Sequence, residues 1–400
     1  MGKGRLLNSA EDLGGGRQKP PPSLFELFRV YLKISLLGFG GPSAHLALML
    51  DEVVERRGWI TRTHFLHLVG VTNFIPGPNS SEVAIHVGYT QRGKLGALTT
   101  GLAFILPAFF IVLGLSWLYF RYGTLPGVVG VLWGIKPAVL AVIVGAGVRL
   151  GRTAVHDGLG GLLATAGAGV ALVAGGWEAA AMVLGGAATW ARWRQKEGPG
   201  PARPGAGGFP RACLFPLVPV AGASLGTLGM VFVTHLWIGS VLFGGGYVLV
   251  ALLEPLAVGR HGWLTSGAFL DGVALTQAIP GPISTLATFV GYAAAGVPGA
   301  FLATAGLYLP SFAAVMLIAP HLERVRRMAP FKAALEGVSA VVAGAIIGVA
   351  AGLFLQAVPD LFAGAVFVVA LVVLATSGLA SGWVVLGGLA VGVVRSAIPF

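Results

Sequence analysis

Asn79, Glu82 and His86 stand at i, i+3 and i+7 directly after a Pro76-Gly77-Pro78 triplet. On a helix that begins at the triplet they share one face. A carboxyl group beside a histidine can take up and hand on a proton, so Glu82 and His86 are candidate proton-coupling residues. Ser80 and Ser81 add short hydroxyl donors on the same turn. A second interruption, Gly38-Phe39-Gly40-Gly41-Pro42, is followed by Ser43 and His45. Pro removes a backbone donor and Gly weakens a helix, so both motifs break one. A helix that restarts after a break presents unpaired N–H groups and a partial positive charge, which suits an anion without many arginines. Pro fits the first position because its missing N–H is not needed there. Candidate oxyanion-binding residues are therefore Gly40, Gly41, Pro42, Ser43, His45, Pro78, Asn79, Ser80 and Ser81. Arg29 and Lys33, i and i+4 on the helix entering the first break, either attract the anion or extend toward an interface. The plainer alternatives are kinks for close helix packing, a structural hydrogen bond at Glu82 and a satisfied interior histidine at His45.

The elements that carry these residues belong to a membrane. Of 400 residues, 56% are hydrophobic, 10% are charged and 63 are glycine, far from the roughly 25% charged content of a soluble domain. Apolar stretches such as Leu95 to Phe120, Ala333 to Leu355 and Leu361 to Thr376 approach or exceed the roughly 20 residues that cross a hydrocarbon core. The fold class expected is an all-α polytopic membrane protein. Breaks at membrane depth are tolerated where the freed backbone lines a cavity or is buried in protein. The net charge of +11 falls in short clusters between apolar stretches, a topology signal rather than a nucleic-acid surface. The single cysteine, Cys213, gives neither a disulfide framework nor a Cys-based metal site, and no cofactor or metal is expected.

An internal repeat organises the chain. Phe39-Gly40-Gly41 recurs 204 residues later as Phe243-Gly244-Gly245, Gly58-Trp59 as Gly262-Trp263, and Pro76-Gly77-Pro78 as Pro280-Gly281-Pro282. After one deletion the shift is 203, pairing Gly88-Tyr89 with Gly291-Tyr292, Pro107 with Pro310 and Gly134 with Gly337. Self-similarity over this length means one fold used twice. The second half thus adds restarts near Gly246 and Pro282, and candidate residues Gly245, Gly246, Pro282, Ser284 and Thr285. The repeat places Leu286 opposite Glu82 and Leu249 opposite His45, so the ionisable groups are asymmetric, and ionisable groups at membrane depth are functional by default.

Basic residues near span ends favour the cytoplasm. Arg56, Arg57, Arg62, Arg92 and Lys94 crowd the early loops of the first half, while their second-half counterparts hold only Arg260. Arg324, Arg326, Arg327 and Lys332 answer a lone Arg121. The bias inverts, as one extra crossing between the halves would produce, and inverted repeats are an architecture of secondary transporters with a midplane site. The expected organisation is a cytoplasmic tail, 1–23, without the apolar core of a signal peptide; a first repeat, 24–191; a basic Gly/Pro linker, 192–212; an extra membrane segment, 213–227; and an inverted second repeat, 228–400. The N-terminus is expected in the cytoplasm and the C-terminus outside. Each broken segment either crosses fully or returns as a re-entrant hairpin, and the basic Arg56, Arg57 and Arg62 favour the hairpin.

The blocks Gly38-Phe39-Gly40-Gly41-Pro42-Ser43-Ala44-His45, Val54-Glu55-Arg56-Arg57-Gly58-Trp59 and Pro76-Gly77-Pro78-Asn79-Ser80-Ser81-Glu82, in that order, resemble the signature of the chromate ion transporter family. Phe243-Gly244-Gly245-Gly246-Tyr247-Val248, Trp263-Leu264-Thr265 and Gln277-Ala278-Ile279-Pro280-Gly281-Pro282 are similar to the second domain of its long two-domain members. The resemblance covers about residues 24 to 398. It implies a chromate carrier of the inner (plasma) membrane that confers resistance by efflux, with sulfate as the related oxyanion, and adds Tyr247 and Gln277 to the site. Position 82 is Glu where many members are expected to have Gln. A potential of about 100 mV gives roughly 2.3 kcal/mol per charge, so a dianion leaving a negative cytoplasm gains about twice that. At about 1.4 kcal/mol per factor of ten this supports a ratio of over about a thousandfold. Proton coupling is then optional for export, whereas uptake needs a coupled cation.

Other classes fit less well. A hydrolase needs a nucleophile with a placed base, but there is no Gly-x-Ser-x-Gly elbow and no His-Glu-x-x-His, so no enzyme is expected. The remaining alternatives are proton-coupled uptake of sulfate or another oxyanion, and an anion channel. The expected partners are chromate or sulfate, the lipid bilayer and a second copy of the chain in a homodimer, with no nucleic acid.

Overall fold

The computed structural model describes residues 21–72, 75–123, 125–197, 226–318 and 329–397. Within them the regular elements are all helical: α1 (Leu24–Leu37), α2 (Pro42–Met49, continued by a π-helical turn Leu50–Arg56), α3 (Arg62–Thr72), α4 (Asn79–Tyr122), α5 (Pro126–Ala154), α6 (Gly158–Val173) and α7 (Glu178–Glu197). The second half repeats the order as α8 (Thr227–Val241), α9 (Val248–Glu254, continued by Pro255–Arg260), α10 (Ser266–Gln277), α11 (Leu286–Ile318, after a 3-10 turn Ile283–Thr285), α12 (Ala329–Ala357), α13 (Leu361–Thr376) and α14 (Ser381–Ala397). Residues 79–122, 132–154, 283–317 and 329–357 are long and apolar enough to cross a membrane. Large apolar side chains turn outward, Leu361 91% exposed and Leu355 81% exposed, as lipid-facing residues do.

The broken segments are hairpins. Helix α1 has 14 residues, about 21 Å at 1.5 Å per residue, too short for a core of about 30 Å. Its Lys33 Nζ donates to Glu52 Oε1 at 2.5 Å, and its Glu26 lies 3.9 Å from Arg57. A straight crossing would hold both pairs far apart. The second broken segment also returns: Gln91 Nε2 donates to the Trp59 carbonyl at 3.1 Å and Arg92 Nε to the Pro22 carbonyl at 2.7 Å. Residues 22, 26, 57, 59, 91 and 92 therefore share one face, called the first face below. Helix α4 bends at Arg92-Gly93 before crossing, and α11 bends at the matching Ala295-Gly296.

The halves run oppositely and interlock. The first turns of α12 lie beside the end of α5 and the start of α6, where Ala333 and Glu336 join Ala154 and Asp157 around a cavity of about 190 Å³. Since α12 is the repeat mate of α5 yet starts where α5 ends, the second half is inverted. Helix α5 packs on α13 and α14 of the other half, and α12 on α6 and α7. Gly134 meets Gly388 while Gly337 meets Gly185, pairs related by the repeat, and such small residues let membrane helices approach closely. Another matched pair caps the short helices: Asp157 accepts the Gly160 N–H at 2.8 Å and pairs with Arg192, while Asp360 accepts the Ala363 N–H at 2.8 Å and pairs with Arg395 at 3.3 Å. The Gly160 N–H, aided by Arg192, holds the Asp157 carboxyl below the usual range.

Two expected boundaries change. The linker expected from Arg192 begins later, because α7 continues to Glu197: Arg192 is held by Asp157, and Arg194 lies over the Trp190 ring at 5.6 Å. The restart expected at Gly246 comes at Val248, after positive-φ Gly244 and Gly245. Cys213, the extra segment at 213–227 (up to the start of α8), Arg324, Arg326, Arg327 and residues 1–20 of the tail lie outside the described residues.

Candidate functional site

The four breaks meet and exchange backbone hydrogen bonds across the repeats. The Gly77 N–H donates to the Leu242 carbonyl at 2.7 Å, and the Gly281 N–H to the Gly38 carbonyl at 3.1 Å; the two bonds are repeat mates. Gly77 needs its φ of 143° and Gly281 its φ of 120°, a region that L side chains avoid. A Cβ on Gly77 would also strike Ser311 Oγ.

Beside this junction lies a cavity of about 770 Å³, within the range of small-molecule sites. Gly40, Pro42, Ser43 and Ala44 reach it from the start of α2, Asn79 from the start of α4, and Gly244 to Val248 from the start of α9. Residues at three of the four helix starts thus line one space, and a helix start favours an anion by about 0.3–1 kcal/mol. Arg149 and Thr153 of α5 and Gly378 to Ser381, between α13 and α14, complete the wall. Arg149 is exposed, and among the described residues no carboxylate lies within ion-pair reach of it. Tyr247 OH shares a hydrogen bond with Ser381 Oγ at 3.0 Å and donates to Gln277 Oε1 at 3.3 Å, while Ser381 Oγ donates to the Gly40 carbonyl at 3.3 Å.

Of the residues expected at the site, Gly40, Pro42, Ser43, Asn79, Gly245, Gly246 and Tyr247 line this cavity. Gly41 and Gln277 sit just behind it, against Tyr247. The others lie elsewhere. His45 is buried under the first break, its Nε2–H donating to the Gly38 carbonyl at 3.0 Å and its ring edge-on to Phe104 at 5.0 Å. Ser80, Ser81, Glu82 and His86 are buried in the first turns of α4, and Pro78 caps that helix. The Glu82 carboxyl adjoins Gly77 and Ser311, and neither of its oxygens has a well-formed hydrogen bond among the described residues. Ser284 Oγ hydrogen-bonds Tyr308 OH at 2.5 Å, and Thr285 Oγ1 donates to the Pro282 carbonyl at 2.9 Å. Lys33 is engaged by Glu52, and Arg29 lies 5.9 Å over Phe25.

Sequence reasoning missed Arg149 and Ser381. It also missed a part-buried ion pair joining the halves, Lys136 Nζ to the buried Asp271 Oδ1 at 3.0 Å, with Tyr119 OH donating to Asp271 Oδ2 at 2.9 Å. The signal was available, since the repeat sets Gly352 opposite Arg149 and Ser339 opposite Lys136. Among the described residues no three His, Cys, Asp or Glu side chains converge as a metal site.

A family model described as chromate transporter matches residues 25–191 and again 229–393. A chromate transport protein of Pseudomonas aeruginosa is 36% identical over 337 residues, 82% of this chain and 80% of that one. One from Cupriavidus metallidurans is 29% identical over 87% of each chain, and an uncharacterized transporter of Methanocaldococcus jannaschii is 26% identical over 82% of this chain and 84% of its own. No solved structure matches the chain.

Proposed function

Since the chain belongs to the chromate transporter family, we propose that it carries chromate out of the cytoplasm by alternating access through the cavity at the helix breaks. The observation that supports this most is the union of three helix starts and an arginine without a carboxylate partner among the described residues in one space. It is a site for a compact oxyanion: backbone N–H groups and the side chains of Ser43 and Asn79 offer donors, and Arg149 supplies full charge. Inverted repeats give such a site two accessible sides. Arg56, Arg57, Arg62, Arg92 and Lys94 gather on the first face, which the basic-residue bias assigns to the cytoplasm. That assignment places the N-terminus in the cytoplasm and the C-terminus outside, in the plasma membrane. Sulfate, the same shape and charge, competes for the site. A dianion leaving a negative interior runs down the potential, so no coupled proton is required and Glu82 serves the junction of the breaks.

The test is chromate uptake into inverted membrane vesicles with an imposed potential, positive inside, with and without excess sulfate. Uptake above vesicles lacking the protein, increased by the potential and reduced by sulfate, is expected. Uptake equal to the empty vesicles removes chromate as substrate.

A further inference from the structure

The two repeats share a sequence frame but differ in conformation. Toward the first face the cavity wall carries the exposed Arg149. The shift of 203 carries Arg149 to Gly352, Ala380 to Trp177 and Ser381 to Glu178. Glu178 opens α7 as Ser381 opens α14. At the mirror-image mouth, on the opposite face, the Glu178 side chain is closed off, while Trp177 beside it is 67% exposed. Glu178 is 3% exposed; its Oε2 accepts the Gly176 N–H at 2.9 Å, and its Oε1 is buried without a hydrogen-bond partner among the described residues. Helices α9 and α10 pack on α12 there, whereas α2 and α3 make no comparable packing on α5.

Building on the transport reading above, we infer that Glu178 is the specificity-determining residue of the second mouth. When the repeats exchange conformations, it takes the position Ser381 holds now, and the oxyanion meets a carboxylate where the first mouth offers the Ser381 hydroxyl and only Gly352 where the first mouth offers the Arg149 guanidinium. Glu254, which accepts from Ser266 Oγ at 3.4 Å in place of the first repeat's Leu50, adds acid to the same side. A buried carboxyl oxygen with no partner carries an unmet desolvation cost, and opening the mouth to water relieves it. The equilibrium ratio is still set by concentrations and potential. The two mouths differ in affinity, so an anion released at the second face reloads poorly.

The test uses the full chain in proteoliposomes of known orientation, measuring half-saturation by chromate from each face. In the unaltered protein the second face requires at least about tenfold more chromate than the first, equal to about 1.4 kcal/mol. Glu178→Ser lowers the second-face value about tenfold and leaves the first within about twofold. Ser381→Glu raises the first-face value by a similar factor, and it decides the matter should Glu178→Ser not insert. If the unaltered protein moves chromate and neither variant shifts the value on its own face by more than about twofold, Glu178 has no such part and the transport reading stands. If the unaltered protein moves no chromate from either face, it is the transport reading that fails.

Discussion

At the scale of residues, charge is scarce and its placement is specific. Arg149 is the cation that lines the cavity, and its guanidinium offers a planar set of donors to an oxyanion. A hydrogen bond to a charged group contributes about 1.5–3 kcal/mol, so Arg149→Gln is expected to raise half-saturation by chromate about tenfold or more, measured from the first face. Arg149→Lys keeps the charge and loses less. An unchanged value in Arg149→Gln would place the anion elsewhere. The positions that line the cavity from the first-half breaks, Gly40, Pro42, Ser43 and Asn79, were legible because glycine and proline inside an apolar stretch announce a break, whereas Tyr247 came only from the family resemblance. Arg149 and Ser381 interrupt nothing, and only the comparison of repeats sets them apart. Glu82 and His86 illustrate the opposite limit: helical spacing places them on one face of α4, but not which neighbour that face meets.

At the scale of elements, hairpin and full crossing differ by the side on which one loop emerges. Local sequence cannot separate them, because a 14-residue helix and its 15-residue partner add up to one span as readily as to two half-spans. The pairs Lys33–Glu52 and Glu26–Arg57 decide it through contacts between helices that sequence spacing does not reveal. Cysteines placed at Arg56 and His156 in a Cys213→Ser background are therefore expected to react with an impermeant thiol reagent from the same side, and one at Pro359 from the opposite side. Reaction of position 56 together with position 359 would overturn the hairpin. The kinks at Gly93 and Gly296 were not foreseen, since one glycine in a long helix is usually tolerated.

At the scale of the whole molecule, repetition and inversion were readable from the motifs and the charge bias, while the way the halves grip each other was not. The glycines at 134, 185, 337 and 388 look like any others in a chain with 63 of them; pairing depends on which helices face each other. Because α5 is held by α13 and α14, and α12 by α6 and α7, residues 1–212 and 213–400 produced as two polypeptides are expected to co-purify from membranes. Gly337→Leu, which drives a side chain into Gly185 and Thr189, is expected to abolish co-purification, since overpacking costs about 1–3 kcal/mol. Recovery of separate halves would mean that the interlock is not what joins them.

The interlock also sets a clock on synthesis. Helix α5 enters the bilayer with its Gly134 surface bare, and that surface is covered only when α14 emerges, more than 200 residues later. At about 5–20 residues per second this is a wait of roughly ten to fifty seconds. Through that interval the first half is made but unfinished, and a chain interrupted before α14 leaves a glycine-rich membrane surface uncovered, a mark by which the cell's proteases can tell an abandoned product from a complete one.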